Sequence, residues 1–315
     1  MKPLEKIEES KQQKVSFQND VLFKHFFIGM DEDSIFLRHT VIGLTTKILP
    51  KRTEVCNPEM IPKHEGNKRI IMDIHLRDEE MREYNIEMQS QGLLDTEFIR
   101  FQYYSAHMLV NQLQEGDDYS NLKVVHQITF FDHVIDDDHQ LVNHYVLMKS
   151  NGRKVQPVMI HMYFISLPEI NRIEKEKGLE HMNALELMCY LFKNGITSDI
   201  LKIDERPVKV MIKKYEELRK NKDLWSFAVS HEIAECRDRN IKEELCQKAE
   251  ERGLLKGKQQ EKYRLIKHQI KKKYGKDETT WLKTLNQTQL EHITEFIFDY
   301  DSIEELKVAI EQIGN

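Results

Sequence analysis

Long apolar runs are missing from this chain of 315 residues. The longest, Val158 to Leu167, is too short to cross a bilayer and carries His161 inside it, so no membrane partner is expected. The opening segment, MKPLEKIEESKQQK, is charged where a secretory signal needs an apolar stretch. Cysteine is scarce and scattered: Cys56, Cys189, Cys236 and Cys246 form no CxxC pair, which argues against a disulfide framework or a structural zinc site. Together these absences predict a reduced, cytoplasmic protein. An excess of positive charge is also lacking. The net charge of −6 excludes a globally basic nucleic-acid binder and leaves room only for a local basic surface. His231-Glu232 begins the helical zinc-peptidase pattern, but Glu235 stands where its second histidine belongs.

What is present is an ordinary soluble composition, 40% hydrophobic and 32% charged, in a chain long enough for one large domain or two smaller ones. Its most informative stretch is RIIMDIHLRDEEMREYNIEMQSQ, residues 69–91. Two runs, Arg69–Arg77 and Arg82–Gln91, alternate apolar and polar residues with period two around a charged RDEE, which predicts a β-hairpin. Ile70, Met72, Ile74 and Leu76 fall on one face and leave Asp73 and His75 on the other. Tyr84, Ile86 and Met88 likewise share a face opposite Asn85, Glu87 and Gln89. If the apolar faces join the core, Asp73, Glu87 and Gln89 converge on neighbouring strands. Two carboxylates so placed make a hard-oxygen site suited to Mg²⁺, which takes few protein ligands plus water and phosphate oxygens. A half-exposed hairpin with a solvated polar face accounts for the same alternation.

Residues 1–16 read as a flexible polar leader. In FQNDVLFKHFFIG, an Asn-Asp start and an apolar cluster predict a capped helix, on which Asp20 and Lys24, four apart, share a face. Leu93 to Leu113 is a helical pattern carrying Arg100, Tyr103 and Tyr104, and Leu122 to Phe131 is a buried strand. Tyr145 to Lys149 and Val158 to Ser166 are two more strands, parted by an Asn-Gly turn. The expected domain spans 17–170, and a helical region fills 171–315 with helices at Asn183–Asn194, Arg206–Arg219 and Leu224–Arg252. Residues 253–276 hold nine Lys or Arg against the single acid Glu261, with Tyr263, Ile266, Ile270 and Tyr274 at helical spacing. This basic helix offers Lys262, Arg264, Lys267 and Lys271 as phosphate contacts; a membrane surface, a protein partner or packing within the protein would suit its stripe as well. Thr288-x-x-Glu291 and Ser302-x-x-Glu305 read as capping boxes of two short helices suited to packing or self-association.

Taken together, NDVLFKHFF at 19–27, IIMDIHL at 70–76, YNIEMQSQ at 84–91 and the Arg100/Tyr103/Tyr104 helix resemble the PD-(D/E)XK nuclease family transposases, also called recombination-promoting nucleases or the Rpn family. The resemblance is close over about 17–131 and looser as far as GLLKG at 253–257. It implies an α/β, restriction-endonuclease-like core, a mixed central sheet flanked by helices, with Mg²⁺-dependent (or Mn²⁺-dependent) cleavage of DNA. By the same resemblance Asp73 and Glu87 are metal ligands, Asp20 is an accessory acid, and Gln89 takes the place usually held by the superfamily's catalytic lysine. A neutral amide cannot supply positive charge to a developing phosphorane, which leaves that role to Lys24 or Arg100. Arg100 and Tyr104 are also expected to touch DNA.

Overall fold

The computed structural model describes residues 14–60, 70–90 and 94–313. It divides into two compact units, Met1–Cys236 and Arg237–Asn315. The first begins with α1 (Asp20–Phe27) and α2 (Glu32–Thr46). The Asn19 side chain starts α1 by accepting from the backbone N–H groups of Val21 and Leu22, and its amide donates to the Ala228 carbonyl and to Glu232. One buried asparagine thus both caps the helix and pins it to a distant part of the chain.

Strands β1 (Thr53–Val55), β4 (Ile74–Asp78), β5 (Glu83–Gln89), β6 (Val125–Phe131), β7 (Val142–Tyr145) and β8 (Ile160–Ser166) form a sheet in the order β1-β4-β5-β6-β8-β7. β5, β6 and β8 run parallel, and the pairs at both edges are antiparallel. The parallel step from β5 to β6 needs a crossover, and α3 (Leu94–Val110) supplies it. This is a restriction-endonuclease-like α/β fold. Helices α4 (Glu169–Lys177), α5 (Ala184–Asn194) and α6 (Arg206–Lys220) follow in the first unit.

The expected hairpin is β4–β5, with Ile74 opposite Ile86 and Leu76 opposite Tyr84. These residues join the core that includes Phe23, Phe130 and Phe192, whose rings meet at 5.1–6.0 Å. Each fully buried phenylalanine stabilises the fold by about 1.5–3 kcal/mol. The expected single face for Ile70 to Leu76 does not hold. A bend at Asp73 separates β4 from β3 (Ile70–Ile71), which pairs with β2 (Glu59–Met60) in a ribbon of its own. Met72 donates its backbone N–H to the Pro58 carbonyl, and Ile70 and Met72 pack instead with Phe101, Tyr104 and Met108 of α3. Arg69 and Gln91, the ends of the two expected runs, lie outside the described residues, as do residues 1–13.

Three further expectations are corrected. The core does not stop at residue 170: Leu185, Met188, Met211 and Leu218 pack with the sheet, so the sheet-bearing unit runs to Cys236. The end of the leader is not free either, because Val15 is buried in the same core. The pattern at 224–252 and the basic helix at 253–276 form one helix, α7 (Lys222–Tyr274), since Gly253 and Gly257 weaken a helix without ending it. In the second unit the end of α7 packs with α8 (Thr279–Leu282), α9 (Gln287–Phe296) and α10 (Ile303–Gln312) around Ile266, Ile270, Ile293 and Leu306. The Ser302/Glu305 capping box forms, whereas α9 is capped by Asn286 with Gln289 rather than by Thr288 with Glu291.

Arg38 of α2 is fully buried, and among the described residues no carboxylate forms an ion pair with it. Its guanidinium donates to the carbonyls of Phe27 and Gly29 and to the hydroxyl and carbonyl of Thr53, joining the end of α1 to the edge strand β1. On the sheet itself Tyr84, His126 and His161 lie side by side across β5, β6 and β8, with ring centroids 4.9 and 5.2 Å apart. Burial, helped by His161, pushes the His126 pKa from 6.5 down to about 3. The unfolded chain therefore takes up a proton near pH 6.5 that the folded chain refuses until about pH 3. Stability attributable to His126 is complete above that window and falls as the pH falls through it; replacing His126 by Phe should flatten this slope in urea titrations run from pH 7 to pH 4.

Candidate active site

At the mouth of the β4–β5 hairpin each of the two acids accepts a backbone N–H from the facing segment. The Asp73 N–H donates to Glu87 Oε1 at 3.2 Å, and the Met88 N–H donates to Asp73 Oδ2 at 3.1 Å. The bend at Asp73 makes this possible by freeing its N–H from strand pairing. Asn85 Nδ2 adds a second donor to Glu87 Oε1 at 3.0 Å. One oxygen of each carboxylate is thereby engaged by a neutral donor, which leaves Asp73 Oδ1 and Glu87 Oε2 as the outward atoms.

Two cations flank them. From α1, Lys24 Nζ lies 2.7 Å from Asp20 Oδ1 and 3.9 Å from Asp73 Oδ1. From α3, Arg100 Nη2 donates to Gln89 Oε1 at 2.7 Å, lies 2.9 Å from Glu97 Oε2, and stands 4.0 Å from Glu87 Oε2. Asp20, Lys24, Asp73, Glu87, Gln89 and Arg100 thus come together from α1, the hairpin and α3. Asp73 and Glu87 share one side of the sheet because Ile74 faces Ile86 and alternation does the rest.

The electrostatics are strained. Burial raises the pKa of Asp73, with the charge of Asp20 adding to it. Burial also raises Glu87 well above its ordinary value, with Asp73 adding repulsion. For Lys24 burial works the other way, but the hydrogen bond and charge of Asp20, with Asp73 and Glu87, outweigh it and hold the ammonium above its ordinary pKa. Lys24 is therefore a fixed cation at neutral pH. Two crowded carboxylates, each with one oxygen left over, are the donor set that a divalent cation would relieve. Among the described residues no group of three or more His, Cys, Asp or Glu is arranged to hold a metal.

The chain matches the family model of the PD-(D/E)XK nuclease family transposases over residues 17–285. It belongs to that family. No curated protein and no solved structure matches it. Members of PD-(D/E)XK nuclease families generally use divalent metals and act on DNA, so membership supports a nuclease- or transposase-related function. Among the described residues no helix is long and apolar enough to cross a membrane.

Other expected contacts shift in meaning. Tyr104 is only 9% exposed, and its ring packs against Phe101 under the Arg100 guanidinium, so it supports Arg100 rather than presenting a surface to DNA. In the second unit Lys262 pairs with Glu291 and Lys267 with Asp277, which neutralises half of the expected phosphate contacts; Arg264 and Lys271 are exposed. Sequence reading passed over Glu97, which grips Arg100 from one turn earlier on the same helix. The i, i+3 spacing of the two is the signal that would have found it.

Replacing Glu87 by Gln keeps an oxygen for both donors to Oε1 and removes the repulsion with Asp73. In EDTA at pH 8 the variant should melt above the wild type, by about 2–4 °C for each kcal/mol relieved. Calorimetry on the two proteins checks this, and a lowered midpoint would contradict the crowding of the two acids.

Proposed function

We propose that this protein is a DNA endonuclease that hydrolyses phosphodiester bonds with Mg²⁺, or with Mn²⁺ in its place, and serves recombination or mobile DNA. The observation carrying the reading is the pair of outward oxygens, Asp73 Oδ1 and Glu87 Oε2, set between the cations of Lys24 and Arg100. A divalent ion bound there supplies Lewis-acid charge to the phosphate and acidifies water. The chain's own residues do the rest. Asp73 and Glu87 hold the ion. Lys24 supplies fixed positive charge to the nonbridging oxygens from the side of Asp73, the part a lysine in the place of Gln89 would otherwise play. Gln89, with Oε1 occupied by Arg100, turns the donor end of its amide to orient the attacking water. Asp20 keeps Lys24 in place and acts as the accessory acid.

DNA is the substrate under this reading, with Arg100 close to the scissile phosphate and Arg264 and Lys271 as exposed phosphate contacts of the second unit. Self-association through the C-terminal helices belongs to the same reading, since α7 exposes Ile241, Leu245 and Leu254. So does a cytoplasmic location.

The second reading is a catalytically degenerate nuclease fold that binds DNA or protein without cutting. What favours it is Gln89, a neutral amide already tied to an arginine. Supercoiled plasmid incubated with purified wild type in Mg²⁺, Mn²⁺ or EDTA separates the two. Nicking by the wild type should require the cation and should fall at least about a hundredfold in Asp73→Ala, beyond the range typical of outer-shell changes, with the thermal midpoint in EDTA retained. Nicking that persists in Asp73→Ala would refute the assignment; cation-induced stabilisation of the wild type without nicking would favour the binder.

A further inference from the structure

Glu87 is held from behind by a chain of neutral side chains that begins at Asn85 of the YNIEMQ stretch and runs on to β6. Asn85, two residues earlier on β5, donates from Nδ2 both to Glu87 Oε1 at 3.0 Å and to Gln127 Oε1 of β6 at 2.9 Å. Gln127 in turn donates from Nε2 to Thr129 Oγ1 at 2.9 Å. All three are completely buried. The parallel register sets Asn85 beside Gln127 and Glu87 beside Thr129, so the chain follows from strand pairing alone. Every link has a direction. A carboxylate can only accept, so Asn85 must present its NH₂ group to Glu87. The same NH₂ then needs an acceptor on its other hydrogen, which fixes Gln127 with its oxygen toward Asn85 and its own NH₂ toward the Thr129 hydroxyl. Flipping Asn85 would set its oxygen against the Glu87 carboxylate, and flipping Gln127 would set its NH₂ against that of Asn85. The cost of this order is visible in Asn85 Oδ1, which is buried without a hydrogen-bond partner. Packing alone would be served better by apolar residues at these positions, since a buried polar group without its partner is costly.

We propose that Asn85, Gln127 and Thr129 are a relay of positioning residues that fixes the rotation of the Glu87 carboxylate, so that Oε1 faces the protein and Oε2 faces the cation. The inference rests on the reading of Asp73 and Glu87 as cation ligands. The relay holds an acceptor-only group in one orientation by donors whose own orientation is set one strand away, and it does so without adding charge. Removing a link lets the carboxylate turn, which weakens cation binding before it weakens the fold.

The test uses the full chain and Mg²⁺ or Mn²⁺ alone, with two readouts. One is the cation concentration that half-saturates the rise in melting temperature; the other is plasmid nicking as a function of cation concentration. Asn85→Asp, which replaces the donor by an acceptor, should raise the half-saturating concentration most. Gln127→Met, which removes the acceptor from Asn85 at similar volume, should raise it about 10–100-fold. Thr129→Val should do less, and Thr129→Ser, which keeps the hydroxyl, should lie nearer the wild type than Thr129→Val. At saturating cation Gln127→Met should recover much of the lost nicking. A purely structural role predicts instead that the variants rank by their melting temperature in EDTA and that cation does not restore them. Variants that keep the wild-type half-saturation overturn the relay alone. A wild type that neither responds to cation nor nicks DNA overturns both the relay and the ligand reading beneath it.

Discussion

The site depends on one reciprocal contact: the Asp73 backbone N–H held by Glu87, and the Met88 backbone N–H held by Asp73. Two carboxylates this close repel, and burial makes each charge more expensive. Backbone donors offset that cost without neutralising either acid, because they are dipoles and not cations. The bend at Asp73 is what releases its N–H for the purpose, and the short β2–β3 ribbon takes up the chain on the far side of the bend. The same few residues therefore decide where a strand ends, which core Ile70 and Met72 enter, and which oxygen of each acid remains outward.

Around this contact the fold supplies charge from two directions. α1 brings Lys24 with Asp20, and α3 brings Arg100 with Glu97. Each cation is accompanied by an acid of its own helix that keeps it extended toward the site. Neither sits on the strand that carries Glu87, where Gln89 instead accepts from Arg100. The cations near the two acids thus come from the neighbouring helices, and the strand carries a neutral amide at Gln89.

Much of this was legible in the sequence, for identifiable reasons. Period-two alternation in the hairpin put Asp73 and Glu87 on one side, and antiparallel pairing kept that relation. The Asn19-Asp20 start and the four-residue step to Lys24 gave both the cap and the ion pair. What alternation hides is a bend: the Ile70 to Leu76 pattern continues through Asp73 as though the strand were unbroken. Chain order hides partners as well. Gln127 stands out in LKVVHQITFF only as a polar residue in an apolar strand, and its neighbour Asn85 is 42 residues away. The domain limit at 170 failed because helices following a sheet in sequence read as a separate layer, and only packing against Phe23 and Phe130 shows that they close the same core.

Arg38 ties the end of α1 to β1 through oxygens that carry no charge. A guanidinium keeps its proton throughout the physiological range, and its acceptors carry no charge; the Thr53 hydroxyl it uses also meets His39 Nε2 at 3.0 Å, a ring that burial and the Arg38 charge hold below its ordinary pKa. The helix that presents Lys24 is moored by hydrogen bonds to uncharged oxygens rather than by an ion pair. A lysine in place of Arg38 would retain the charge but could not span four acceptors with one ammonium, and the slack would be felt in the last turn of α1, which carries Lys24.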